Sequence, residues 1–243
     1  NEEKIRLWEQ ECINAEKEGK KKPKKPQLKS IEEMLVPKEE QPYELPENWE
    51  WVKLESIVDN MKYGYTDSAR ESGIIKFLRI TDIQDNKVNW NKVPYCNISE
   101  VDYINYQLKN RDVLIARTGG TIGKTFLINN IPDDIKAVYA SYLIKMTPNM
   151  SITARYFKLY FETDLYWKLL KDKARGTGQP NVNVPSLNAL LFPLPPIEEQ
   201  KEIVRILESV LDRENRVSEL LSLMESISLL EKGILDKAFR GKI

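Results

Sequence analysis

The spacing of apolar residues along this 243-residue chain changes three times, and each change predicts a different kind of element. Within residues 2 to 18, Ile5, Trp8, Cys12 and Ala15 recur at helical intervals, which predicts a short amphipathic helix ended by Gly19. "KKKPKKPQLKS" cannot continue a helix through Pro23 and Pro26, so an exposed spacer is expected as far as about Glu47. From "YELPENWEWVKL" onward, short apolar or alternating runs lie between Gly, Asn and Asp. They predict strands at Trp49 to Leu54, Ile74 to Thr81, Val88 to Tyr95, Asp112 to Ala116, Lys124 to Ile128 and Ala137 to Met146. One predicted helix begins at Ser99, with Asp102 three residues on. Another runs from Thr153 to Lys173 with Tyr156, Tyr160, Leu165 and Leu169 inward. The polar segment "ARGTGQPNVNVPSLNALLFPLPP" is expected to lead out of the domain.

The last pattern is a seven-residue repeat. Pro196, followed by Glu198 and Glu199, opens a helix that meets no further Gly or Pro until Gly233 and continues to Phe239, about 60 Å at 1.5 Å per residue. Ile203, Val210, Val217, Met224 and Ala238 occupy one seam position, and Ile206, Leu220, Ile227 and Ile234 the other. Arg213 and Glu231 interrupt the seam, while Leu207, Leu221 and Leu235 widen it. A stripe this long is expected to lie beside another long helix; the alternative is a helix folded back on its own domain. The expected fold class is therefore α+β. A short helix and Lys/Pro-rich linker occupy residues 1–45, a mixed α/β domain 46–192, and a coiled-coil-forming C-terminal helix 193–243.

Charge adds a mild bias. The formal net charge is zero, but residues 17 to 29 carry seven lysines against Glu18, and residues 32 to 50 carry seven glutamates against Lys38. The lysine run reads either as a solvated linker or as a phosphate contact. Residues 51 to 190 hold 19 Lys+Arg and 14 Asp+Glu, a net +5 compatible with a polyanion partner. There is no histidine, which removes His-activated nucleophiles and most zinc chemistry, and no close carboxylate pair asks for a catalytic role. No catalytic or metal residue is predicted. Cys12 and Cys96 lack metal-ligand spacing, and no apolar run is long enough to cross a bilayer, so a reduced cytoplasmic setting is expected.

One motif invites a nucleotide-hydrolase reading. "RTGGTIGKT" ends like a phosphate-cradling loop, but that loop needs glycine where Thr118 stands, and "FLI" after it reads as a strand rather than a helix. Gly119, Gly120 and Gly123 serve either a tight hairpin or a close approach to phosphates.

In order, "LPENWEWVKL", "FLRITDI", "DVLIARTGGTIGK", "GQPNVN", "PLPPIEEQKEIV" and "ILDKAFRGKI" resemble the DNA specificity subunits of Type I restriction-modification systems, over about residues 45 to 243. The resemblance implies a target recognition domain that reads half of a split DNA site, joined to a long helix acting as a ruler. It also implies no cofactor in this chain. S-adenosylmethionine would belong to a methyltransferase subunit docked on the helices, and ATP and Mg to a restriction subunit. Full-length members of the family hold two such domains and two such helices, whereas this chain has one of each. It is expected to be either a half-subunit that forms a homodimer or one half of a longer chain.

DNA reading needs forks and amides for base edges and cations for phosphates. In the glycine turn the candidates are Arg117, Thr118, Thr121 and Lys124. In "ARGTGQPNVN" they are Arg175, Thr177, Gln179, Asn181 and Asn183, with the alternative that the amides satisfy backbone groups before the long helix. In "MKYGYTDSARESG", Lys62, Tyr63, Tyr65, Thr66, Ser68 and Arg70 are expected to read individual bases. Arg79 is a further candidate, paired by the alternative reading with Asp82 inside the sheet. The competing functions are an assembly protein whose coiled coil is the active part and, through the glycine turn, a nucleotide hydrolase.

Overall fold

The structure, a computed structural model, describes residues 2–17, 22–23, 30–84, 86–174 and 182–240. Helix α1 spans Glu2–Lys17 and presents Ile5, Trp8, Cys12 and Ala15 on its half-buried side, with the Trp8 indole N–H donating to the Pro23 carbonyl at 3.0 Å. The expected spacer is only partly one. Ile31–Met34 forms a helical turn, α2, after which Leu35 bridges to Val52 and the buried Val36 donates its N–H to Trp51 at 2.9 Å. An apolar Leu-Val pair is enough to draw this segment onto the domain.

The globular unit is built around a four-stranded antiparallel sheet. Its strands are β2 (Val58–Tyr63), β7 (Val113–Ala116), β8 (Thr125–Leu127) and β10 (Leu143–Pro148), in the order β2-β10-β7-β8. All four residues of β7 are buried because both faces are covered: Val113 and Ile115 point into one core, Leu114 and Ala116 into a second. The second core is closed by β3 (Ile75–Leu78), flanked by β6 (Tyr95–Cys96) and, in parallel, β9 (Lys136–Tyr139). A small hairpin, β4 (Ile83–Gln84) with β5 (Lys87–Val88), and helix α3 (Glu100–Tyr106) complete this side. Ser99 caps α3, its hydroxyl accepting the Asp102 N–H at 3.0 Å as the sequence predicts.

The first core contains α4 (Ala154–Tyr160) and α5 (Asp164–Ala174). One continuous helix was expected here. Thr163 divides it, because its hydroxyl accepts the Tyr166 N–H and donates to the Tyr160 carbonyl at 2.7 Å, capping a second helix. The most buried positions of α5 are Tyr166 and Leu170, and the expected Leu165 and Leu169 pack, partly buried, against the same core. The Tyr156, Tyr160 and Tyr166 hydroxyls donate to the carbonyls of Pro193, Leu191 and Gly123, so none is buried unpaired. The Tyr166 bond fixes the glycine turn to α5.

Two further expectations are corrected. Val88 to Tyr95 is not one strand: Val88 ends β5 and Tyr95 begins β6, and between them a turn closed by the Lys92 N–H on the Asn89 carbonyl carries the buried Trp90 and is followed by the buried Val93. Ala137 to Met146 is two strands, β9 and β10, parted by a turn in which the Leu143 N–H meets the Ala140 carbonyl at 2.9 Å. β2 was not anticipated, and neither was the partner of β1 (Glu50–Lys53), β11 (Leu191–Leu194), which pairs the domain's beginning with its end. Between them the short helix α6 (Val184–Asn188) returns the chain.

Helix α7 (Ile197–Phe239) is 43 residues long, about 64 Å. Gln200 anchors it. This side chain is fully buried, accepts the Thr153 N–H at 2.8 Å and donates to the Ser151 and Pro195 carbonyls. Glu199 accepts from the Trp49 and Asn48 side chains, and Arg155 of α4 pairs with Glu208 at 2.8 Å. Ile203 and Val204 pack on the domain's own core, so Ile203 leaves the expected pairing seam. From Ile206 onward the seam is bare: Ile206, Val210, Val217, Leu220, Met224, Ile227 and Ile234 are each about half or more exposed.

Candidate nucleic-acid interface

Three turns meet at one end of the main sheet. The end of β2 supplies Lys62 and Tyr63, the β9–β10 turn supplies Tyr142, and the β7–β8 turn begins at Arg117. Gly64 permits the approach, since a Cβ there would lie 2.1 Å from the Ala140 carbonyl oxygen. The Arg117 backbone is held on both sides: its N–H donates to Tyr142 at 3.0 Å and its carbonyl accepts the Val182 N–H at 3.2 Å. Its guanidinium carbon lies 4.6 Å from the centroid of the Tyr63 ring, while Nε is buried without a hydrogen-bond acceptor among the described residues. The Tyr63 hydroxyl accepts the Val184 N–H at 3.1 Å. A half-buried cation is thus stacked on a fixed ring, an arrangement that suits a phosphate or the edge of guanine.

Beyond Arg117 the turn is tight. Gly119 and Gly123 both have φ +81°, the left-handed conformation the hairpin reading requires. A Cβ at Gly119 would meet nothing, whereas one at Gly123 would lie 2.7 Å from Leu170 and 2.9 Å from Trp167. Thr118 and Thr121 are half-buried and Lys124 is exposed. Thr121 and Lys124 border a cavity of about 540 Å³ that reaches Ile80, Leu114 and Phe126. Lys158 also lines it but is paired with Glu162 at 2.6 Å, so Lys124 is the lining cation left without an ionic partner among the described residues.

On the other side of β2, the Lys62 ammonium sits 4.4 Å from the Tyr106 ring, which packs on Tyr65 at 5.3 Å. Thr66 is exposed. The Asp67 carboxylate accepts the Asn97 N–H at 2.8 Å, and backbone donation from Asn97 and Ser68 holds its pKa below the ordinary value. Ser68 is exposed, as is the Arg70 side chain, though Arg70 exchanges two backbone bonds with Tyr95. Arg79 is committed elsewhere: its fork holds Asp82 through Nε at 3.0 Å and Nη2 at 2.8 Å, a bond that raises the arginine's pKa further. This is the internal ion pair of the alternative reading. Asn183 likewise caps α6, accepting the Ser186 N–H at 2.9 Å. Arg175, Thr177, Gln179 and Asn181 lie outside the described residues.

The structure therefore brings Tyr63 and Arg117 together, with Lys62 and Tyr65 alongside on β2 and the segment after it, and sets Arg79 and Asn183 to structural tasks. Tyr142, a further neighbour of this cluster, is 60% exposed and accepts the Arg117 N–H through its carbonyl. It lay within an expected strand and gave no separate signal. Among the described residues no group of three or more Cys, Asp or Glu gathers as a metal site, and no helix is long and apolar enough to cross a membrane.

Comparison with known proteins agrees with this architecture. The chain is 27% identical over 225 residues to the Type I restriction enzyme EcoAI specificity subunit of Escherichia coli, covering 90% of this chain and 37% of that protein. It is 29% identical over 208 residues to the MjaVIII specificity subunit of Methanocaldococcus jannaschii, covering 82% and 47%. It thus spans less than half the length of either relative. The fold is shared with the crystal structure of the HsdS subunit from Thermoanaerobacter tengcongensis, with a TM-score of 0.61 at 23% identity over 84% of this chain and 48% of that one. It is shared also with a chain solved in work on complex assembly and conformational transition of the type I R-M system, with a TM-score of 0.66 at 22% identity over 84% and 49%. The sequence model of the Type I restriction modification DNA specificity domain matches residues 46–221, well over half of the chain, and the chain belongs to that family.

Proposed function

We propose that this chain is the DNA-reading component of a Type I restriction-modification complex and recognises one half of a bipartite site. The observation that carries the reading is Arg117, stacked on Tyr63 at the end of a rigid sheet. Lys62, Tyr65, Thr66, Arg70, Thr118, Thr121 and Lys124 extend this contact surface, with cations for phosphates and hydroxyls or aromatic rings for base edges and sugars. The chain itself performs no chemistry. Base methylation belongs to a methyltransferase subunit that holds S-adenosylmethionine, and ATP with Mg to a restriction subunit. The exposed length of α7 offers the methyltransferase a docking face and a second copy of this chain a seam. Two antiparallel copies would read the same half-site in inverted orientation across an unread gap. Reconstitution with the methyltransferase subunit tests this: tight, site-specific, salt-sensitive DNA binding is expected, and a complex indifferent to DNA sequence rejects it.

A further inference from the structure

The bare seam of α7 contains two residues that do not belong in it. Arg213 and Glu231 take seam positions otherwise filled by Ile, Val, Leu, Met and Ala, and neither makes an ion pair or side-chain hydrogen bond among the described residues. A charge at such a position destabilises a helix pair unless the facing residue answers it. The two interruptions lie nine residues either side of Ser222.

That symmetry has a consequence. In an antiparallel pair, each seam residue faces one on the partner such that their two sequence numbers have a constant sum. With the twofold axis at Ser222, Leu220 faces Met224, Val217 faces Ile227, Val210 faces Ile234 and Ile206 faces Ala238. Arg213 then faces Glu231, twice. Sliding one helix by a heptad places Arg213 against Met224 or Ala238, and Glu231 against Leu220 or Ile206, leaving four charges unanswered in an apolar seam. The overlap also starts where the domain's own packing stops, because Ile203 is already held by the core and Ile206 is the first exposed seam residue.

Resting on the dimer reading above, we infer that the Arg213–Glu231 pair, formed between two copies of this chain, fixes the register of the helices and thereby the gap between the two half-sites read. In this register the two Gln200 anchors stand about 66 Å apart along the helix axis. A one-heptad slip changes that separation by about 10 Å, on the order of three base pairs of duplex.

The register is read by pulsed electron spin resonance on nitroxide labels placed singly at Ser218→Cys, Ser226→Cys and Asp236→Cys, with Cys12 and Cys96 replaced by alanine. The account predicts equal axial offsets of about 12 Å between copies at 218 and 226, and about 42 Å at 236. A slipped dimer gives about 2 Å at one inner site and about 22 Å at the other, which overturns the register while leaving the dimer. A parallel pair, short at all three, or a monomer overturns the dimer reading as well. Independently of the cysteine changes, Arg213→Glu should raise the dimer dissociation constant at least about tenfold, and adding Glu231→Arg should restore it. Failure of the double swap to restore pairing contradicts the inferred contact.

Discussion

Arg117 and Tyr63 form a single device: the guanidinium stands 4.6 Å over the ring, and the hydroxyl of the same ring receives the Val184 N–H from the far side of the sequence. The two roles of the tyrosine are separable. Arg117→Ala should weaken specific DNA binding by the reconstituted complex about 10- to 100-fold with little change in melting temperature, and Arg117→Lys should not restore it, because an ammonium lacks the fork. Tyr63→Phe keeps the stacked face but strands a backbone donor, so it should cost roughly 1–3 kcal/mol of stability. Fluorescence anisotropy and thermal denaturation, run on the same variants, read the two effects.

The glycine turn gives a graded test. Gly119→Ala meets only the unfavourable left-handed backbone, about 1–2 kcal/mol, since a Cβ there has open space. Gly123→Ala carries the same backbone strain and drives a methyl into Leu170 and Trp167, adding about 1–3 kcal/mol. Urea denaturation should therefore rank Gly123→Ala well below Gly119→Ala. Equal losses would mean that contact with α5 does not hold the turn.

Gln200 is the joint between reader and ruler. Gln200→Leu keeps the volume but orphans the Thr153 N–H and the Ser151 and Pro195 carbonyls, at a cost of about 2–4 kcal/mol. Circular dichroism should show α7 still helical while the midpoint of urea unfolding falls.

The thiols differ in accessibility. Burial comes first, with the neighbouring charge of Asp67 second, in pushing the Cys96 thiol up from 9.0 to about 11. Because the folded value is the raised one, its contribution to stability is complete below pH about 9 and is lost as pH climbs through about 11. A disulfide reagent at pH 8 should modify the half-buried Cys12 in the native protein and reach Cys96 only on unfolding. Rapid labelling of both would contradict the burial of β6.

Much of this was legible in the chain. The seven-residue repeat announced α7, and Ser99 with Asp102 announced α3, because caps and periodicity are local signals. What stayed hidden was set by distant partners. The turn that splits β9 from β10 contains no Gly or Pro; its enabling residue is Gly64, just beyond the end of β2, where only a missing Cβ lets the backbones meet. Gln200 reads as one polar residue among many on a charged helix, and its burial depends on carbonyls supplied by the segment before α4 and by Pro195. Within the candidate interface, the sequence offered Asp82 as a partner for Arg79, three residues away, but only geometry shows that pair closed while Arg117 is stacked on Tyr63.

The most direct test is selection of bound sequences from a random DNA pool by the chain reconstituted with its methyltransferase subunit. The account predicts enrichment of a palindromic motif: two inverted copies of one short half-site separated by a gap of fixed length and free sequence. Recovery of a single undivided motif, of two unrelated halves, or of no motif at all would contradict a paired reader whose spacing is set by α7.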